Sequence, residues 1–71
     1  MQRTSVRSST IRSIGYDASH QLLEVEFLSG SIYQYQGVPP SIHSAFMTAP
    51  SHGSYFTEHV RNGGYQYTKV N

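Results

Sequence analysis

The chain has 71 residues, enough for one domain with a small hydrophobic core. It contains six Tyr and three Phe but no Cys and no Trp, and its net charge is +1. This composition excludes a disulfide framework and thiolate metal sites, and no apolar run is long enough to span a bilayer. We expect a cytoplasmic protein whose core depends on its aromatic side chains.

The basic residues are concentrated at the start of the chain. Arg3, Arg7 and Arg12 all precede Asp17, the first acidic residue. We expect residues 1–8 to form a basic N-terminal arm, which serves either as a solubilising tail or as a contact for phosphate groups. Residues 9–64 then form the single domain.

Three segments have strand patterns: residues 10–16, 21–28 and 32–36. The first is rich in β-branched and aromatic residues and ends at a turn signal. In the second, Leu23 and Val25 alternate with Glu24 and Glu26, which is typical of a half-buried strand with a solvated outer face. The third carries alternating tyrosines, so the sequence predicts three consecutive strands.

The turn at Ser29-Gly30 decides which face the tyrosines share. A two-residue turn would place Tyr33 and Tyr35 beside the glutamates, whereas a type I turn with Gly30 in a left-handed bulge would pair Val25 with Tyr33. The second register gathers the apolar side chains on one face, and burial favours it. We therefore predict that Tyr33 and Tyr35 face the core.

Two helices follow the strands. Pro40 suits the first turn of a helix, and an apolar stripe runs on through Ile42 and Phe46 until Pro50 ends it. A second helix is expected to start at an N-cap on Ser54 and to end at the Asn62-Gly63-Gly64 segment. Residues 65–71 alternate and form either an added edge strand or a disordered tail.

These elements predict an α+β fold, a three-stranded antiparallel sheet followed by two short α-helices packed on one face, in the order β-β-β-α-α. The ordered residues of the chain also resemble the KTSC domain family. The resemblance is carried by Ser8-Ser9, Ile14-Gly15-Tyr16-Asp17, Leu23-Glu24-Val25-Glu26-Phe27, Gly30, Tyr33-Gln34-Tyr35, Val38-Pro39, Ala49, Ser51, Gly53, Tyr55-Phe56 and Arg61.

The KTSC resemblance covers about residues 6–65 and is specific because its motifs occur in the family's order. The family is named after the C-terminus of some lysyl-tRNA synthetases, and its members also occur as free-standing bacterial and phage proteins. It has no established activity. Attachment to a tRNA-charging enzyme implies RNA binding by association.

No set of residues indicates a metal site, a cofactor or a catalytic centre. The four histidines have no ligand spacing and no cysteine beside them. No nucleophile elbow or phosphate-binding loop is present, and Glu24 and Glu26 are explained by a solvated sheet face. We therefore expect a non-catalytic binding module without metal or cofactor.

Three kinds of partner fit such a module. The first is RNA or another nucleic acid, bound through Arg7, Arg12 and Arg61, where Arg61 is alternatively a cation favoured at a helix C-terminus. The second is a protein, as for a small phage or bacterial inhibitor or adaptor that uses its sheet edge or its tyrosine-rich tail. The third is a small ligand bound near Tyr16, Ser51 and Tyr55. No membrane is expected, and the protein is predicted to be a monomer or a weak homo-oligomer.

Overall fold

Five antiparallel strands form one sheet whose order follows the sequence. The computed structural model describes Met1–Asn71. The strands are β1 (Arg3–Ser5), β2 (Ile11–Asp17), β3 (Leu22–Phe27), β4 (Ile32–Tyr35) and β5 (Tyr67–Lys69). Between β4 and β5 the chain forms helix α1 (Pro40–Thr48) and helix α2 (His52–Tyr55), which continues into a π-helical turn (Phe56–Val60) and a 3-10 turn (Arg61–Gly63). The α+β class is confirmed.

The hairpin of β3 and β4 has the register expected from burial. Val25 pairs with Tyr33 and Leu23 pairs with Tyr35. Gly30 has a φ of 96°, and its N–H donates to the Phe27 carbonyl oxygen at 2.9 Å. This is the left-handed bulge that only glycine adopts without strain. The tyrosines of β4 therefore share the sheet face of Leu23 and Val25, called here the inner face.

The prediction of three strands is wrong, because the sheet gains a short strand at each edge. β1 pairs with β2 through Arg3–Ser5, residues that were assigned to the arm. β5 pairs with β4, so the terminal residues form an edge strand. Both added strands are three residues long and exposed, and strands of this kind form through pairing with a neighbour more than through their own propensity.

Gly15 explains how closely the N-terminal segment approaches β2. A Cβ atom at this position would lie 2.8 Å from the Gln2 carbonyl oxygen and 2.9 Å from Cγ of Arg3. Any side chain here would therefore displace β1. The missing side chain leaves room for Arg3 to cross the outer face of the sheet, the face opposite the helices.

The core lies between the inner face of the sheet and the helices. Its nine buried apolar residues are Ile11, Ile14, Leu23, Val25, Tyr35, Val38, Phe46, Phe56 and Val60. Phe46 of α1 is fully buried and stacks on Tyr55 with ring centroids 5.6 Å apart. As predicted, both helices cover one face, and α1 begins at a proline.

The N-cap of the second helix lies three residues before the predicted one. Ser51 is the cap, and its Oγ accepts from the Ser54 N–H at 3.2 Å. Gly53 therefore lies in the first turn, where a Cβ atom would be 2.9 Å from Oγ1 of Thr10. The prediction of Ser54 was wrong because Ser51 supplies the cap, so the helix includes Gly53 in spite of its poor helix propensity.

Candidate nucleic-acid interface

A groove opens on the inner face between the β3–β4 hairpin, strand β5 and the end of the second helical segment. Its volume is about 390 Å³. Its walls and floor consist of five aromatic side chains and one arginine: Phe27, Tyr33, Tyr35, Phe56, Tyr67 and Arg61. The hydroxyl-bearing residues Ser29 and Ser31 complete the lining. We call this site the tyrosine groove.

Strand register brings the three tyrosines together. Tyr33 and Tyr35 project from the same face of β4, and Tyr67 of β5 pairs with Tyr35. The Tyr67 ring centroid lies 5.6 Å from that of Tyr35 and 6.0 Å from that of Tyr33. Tyr35 is 6% exposed and forms the floor, whereas Tyr67 is 63% exposed and offers a free ring surface.

The groove carries positive charge and no acidic side chain. Arg61 is exposed and lines it. Lys69 of β5 pairs with Tyr33 of β4. Tyr67 precedes Lys69 by two residues in β5, so both lie on the inner face. Neither cation forms an ion pair within the protein, in contrast to Arg3 and Arg12. Both are therefore free to meet an anion.

The Tyr35 phenol at the floor of the groove stays protonated near neutral pH. Burial, followed by the neighbouring Tyr33 and Tyr67, raises the pKa of Tyr35 to about 12, and Arg61 opposes this shift. Arg61 and Tyr35 line the same groove. An entering ligand thus meets aromatic rings beside a cation.

The outer face of the sheet has a different character. Glu24 on the central strand is 7% exposed, which corrects the prediction that it is solvated. Its carboxylate accepts hydrogen bonds from Nη1 of Arg3 and, at 2.8 Å, from Nε2 of Gln34. Burial acts to raise the pKa of Glu24, but the hydrogen bonds from Gln34 and Arg3 outweigh it and hold the pKa below its usual value.

A second glutamate extends this polar network. Glu26 accepts from Oγ of Ser13 at 2.8 Å, and Nε of Arg12 lies 3.9 Å from its carboxylate. Nε of Arg3 donates to the same Ser13 hydroxyl at 3.0 Å. Two cations and two carboxylates therefore face one another here, so their charges are largely compensated.

The structure does not unite the three arginines predicted to bind nucleic acid. Arg12 lies on the outer face beside Glu26, and Arg61 lies on the inner face in the tyrosine groove. Arg7 is exposed in the connection between β1 and β2. The expected patch of Arg12 with Arg61 does not form, because the sheet separates them.

The residues predicted to bind a small ligand also occupy separate places. Tyr16 donates through its hydroxyl to the Val38 carbonyl oxygen and stacks on His43 at 4.5 Å. Ser51 caps α2 and borders a different, polar depression. Tyr55 packs on Phe46, and it lines neither the depression at Ser51 nor the separate one at Tyr16. Each has a structural role, and the three do not converge on one cavity.

Asp17, Ser19 and His20 are the residue types of a hydrolase triad, but their geometry is that of a turn. Nδ1 of His20 contacts both the Asp17 carboxylate, at 2.9 Å, and the Ser19 hydroxyl, at 3.1 Å. In a catalytic triad, one ring nitrogen of the histidine contacts the carboxylate and the other contacts the hydroxyl. Hydrogen bonds from Ser19 and then His20 lower the pKa of Asp17 to about 2.

No group of three or more His, Asp or Glu side chains is placed to hold a metal ion. None of the helices is long and apolar enough to cross a membrane. Sequence reasoning did not place the β5 residues Tyr67 and Lys69 on the same face as Arg61. The sequence signal for these two residues was the strand-like alternating pattern of residues 65–71, which resembles that of β4.

Comparison with known proteins places the sequence motifs in context. The KTSC domain model matches residues 7–67. A protein of Stutzerimonas stutzeri is 41% identical over 70 residues, which is 99% of each chain. The lysine–tRNA ligase of Nostoc punctiforme is 40% identical over 53 residues, which is 75% of this chain and 9% of the ligase. The chain thus corresponds to a small part of that enzyme.

The fold also has a solved counterpart. The crystal structure of a KTSC domain protein from Yersinia pestis superposes with a TM-score of 0.91 at 43% identity. The match covers 99% of this chain and 97% of that chain. The five-stranded sheet and its helical layer are therefore an architecture that also occurs in a crystal structure.

Proposed function

We infer that this chain, which belongs to the KTSC domain family, is a non-catalytic module that binds RNA through the tyrosine groove. The observation that carries the proposal is the joint placement of Tyr33, Tyr67, Arg61 and Lys69 on one face. Aromatic rings beside cations form the usual platform for nucleic acid, since bases stack on the rings and phosphates pair with the cations.

The charge distribution supports this choice of face. The outer face presents Arg3 and Arg12 already paired with carboxylates, so phosphate binding there would have to compete with Glu24 and Glu26. The inner face offers Arg61 and Lys69 without that competition. A phosphate contact releases counterions from the nucleic acid, and uncompensated cations gain most from it.

The relatives give independent support for RNA as the ligand. Segments about 40% identical to this chain occur in lysine–tRNA ligases, whose names state that they act on tRNA. A domain shared between such enzymes and a short protein such as that of Stutzerimonas stutzeri is suited to a common ligand, and tRNA is the nucleic acid named in the ligases. The cytoplasmic location and the monomeric or weakly oligomeric state stay predictions.

A titration of a labelled lysine-tRNA transcript tests the proposal. We expect binding that weakens between about 50 and 200 mM salt. Arg61→Gln and Lys69→Gln should each weaken it, and each should reduce the slope of log affinity against log salt by about one unit. Absence of binding by the native protein at the lower salt would refute the RNA assignment.

Arg12→Gln is the matched control, since it removes the same charge from the outer face. If RNA binds in the tyrosine groove, Arg12→Gln should leave the affinity unchanged. If RNA binds to a patch of Arg7, Arg12 and Arg61, Arg12→Gln should weaken binding as much as Arg61→Gln does. Arg7 is exposed and unpaired, and its participation stays a prediction that Arg7→Gln tests in the same titration.

The free edge of β5 favours a second candidate, a protein-interaction module. β5 is the terminal strand of the sheet, and Val70 beside it is 48% exposed. Such an edge can accept a strand from another chain through main-chain hydrogen bonds. Salt-independent capture of a partner peptide, combined with no RNA binding, would favour this candidate.

A further inference from the structure

The shape of the tyrosine groove specifies which part of an RNA it accepts. Tyr35 at the floor is 6% exposed, whereas Tyr67, which also lines the groove, is 63% exposed. A base inside a duplex is stacked on both faces and hydrogen-bonded along its edge, so it has no free face to stack on a ring that lines a groove. An unpaired base, in contrast, can extend away from its strand.

The size of the groove matches one nucleotide. Its volume of about 390 Å³ falls at the low end of the range for sites that enclose a single small molecule. The polar residues are suited to the other parts of a nucleotide. Ser29 and Ser31 bring hydroxyl groups that can donate to or accept from a base edge or a ribose, and Arg61 brings a guanidinium for the phosphate.

Resting on the proposed function, we propose that the tyrosine groove holds one unpaired ribonucleotide, with its base stacked on Tyr67 and its phosphate on Arg61. This differs from recognition of structured RNA through scattered arginines, because the groove then distinguishes unpaired bases from paired ones. Paired stems contribute only long-range electrostatic attraction to Arg61 and Lys69. Affinity therefore follows the presence of an unpaired segment.

The test compares an end-labelled RNA of about eight nucleotides with the same strand annealed to its complement, using fluorescence anisotropy. We expect the single strand to bind at least about fivefold more tightly than the duplex, because stacking of one base is worth about 5- to 150-fold. The same sequence as DNA decides the source of the nucleotide. Equal or tighter binding of DNA would overturn the assignment to RNA.

Variants of Tyr67 identify the stacking ring. Tyr67→Ala should weaken single-strand binding by about 5- to 150-fold, and Tyr67→Phe should retain affinity within about twofold because the ring remains. Duplex binding should change little in either variant. Thermal melts of both variants show whether the domain still folds, and the comparison of single strand with duplex uses the native protein alone.

The outcomes separate this inference from the proposed function. Equal binding of single strand and duplex, together with no effect of Tyr67→Ala, would overturn the unpaired-nucleotide inference while leaving RNA binding in place. No binding of either RNA would overturn both. Loss of affinity in Tyr67→Phe equal to that in Tyr67→Ala would overturn stacking as the mode of recognition.

Discussion

Arg3 and Glu24, which are 21 residues apart in the chain, form an ion pair that joins the first strand of the sheet to its centre. The Glu24 side chain is 9% exposed, and that of Arg3 is 28% exposed. A carboxylate this deeply buried needs partners, because an unpaired charge away from water is costly. The pair therefore makes the N-terminal residues part of the folded domain.

Replacing Arg3 should destabilise the protein more than its position near the terminus suggests. Arg3→Gln removes the charged donor and leaves the Glu24 carboxylate with Gln34, at an expected cost of about 1–3 kcal/mol in the free energy of unfolding. Urea denaturation measures it. Arg12→Gln is the control and should cost less than about 0.5 kcal/mol, since Arg12 is exposed.

A double-mutant cycle with Glu24→Gln isolates the interaction. The double variant should lose less than the sum of the two single variants, because each single change already breaks the pair. Strictly additive losses in the free energy of unfolding would show that Arg3 stabilises β1 by strand pairing and packing alone, without the ion pair.

Phe46→Ala should unfold much of the protein at physiological temperature. Phe46 is fully buried and stacks on Tyr55, and truncating a buried aromatic costs about 3–5 kcal/mol. That cost is comparable with the whole stability of a domain of this size. Circular dichroism melts provide the measurement, with the exposed Ser44→Ala in the same helix as control. A native-like melt of Phe46→Ala would contradict the packing of α1.

Stability should fall as the pH drops below about 6.5, because of His43. Burial lowers the pKa of this imidazole, which stacks on Tyr16. The folded state therefore binds fewer protons than the unfolded chain, so the stabilising effect is complete above the unfolded pKa and is lost as the pH falls through the folded one. Urea midpoints between about pH 7.5 and 5.5 measure it.

His43→Phe keeps an aromatic ring against Tyr16 and removes the titration. Its urea midpoint should depend less on pH over this interval than that of the native protein. Glu24 and Asp17, whose pKa values are also lowered, contribute in the same direction but at more acidic pH. An identical pH dependence in His43→Phe and native protein would show that another group is responsible.

The centre of the fold could be predicted because its signals are local. Alternation in β3 and β4 marks both strands, and Gly30 selects the bulge that fixes their register. The edges could not be predicted in this way. Arg3-Thr4-Ser5 has no apolar residue to indicate a strand, and its pairing depends on the space left by Gly15, which no local pattern reveals.

The candidate site was predictable only in part for a similar reason. Arg61 was identified, but its partners were not, because the position of Tyr67 and Lys69 depends on the pairing of β5 with β4. The tail alternates in sequence, a pattern equally compatible with a disordered end. Glu24 was predicted to be solvated because the arginine that covers it comes from a distant segment.

The most direct test of the account is to map which face of the sheet meets RNA. Amide chemical shifts of ¹⁵N-labelled protein, followed during titration with an unpaired RNA of about eight nucleotides, report this without any variant. We expect the largest changes in amide chemical shift at Tyr33, Arg61, Tyr67 and Lys69. Largest shifts at Arg12 and Glu26 on the outer face, or no shifts at saturating RNA, would contradict it.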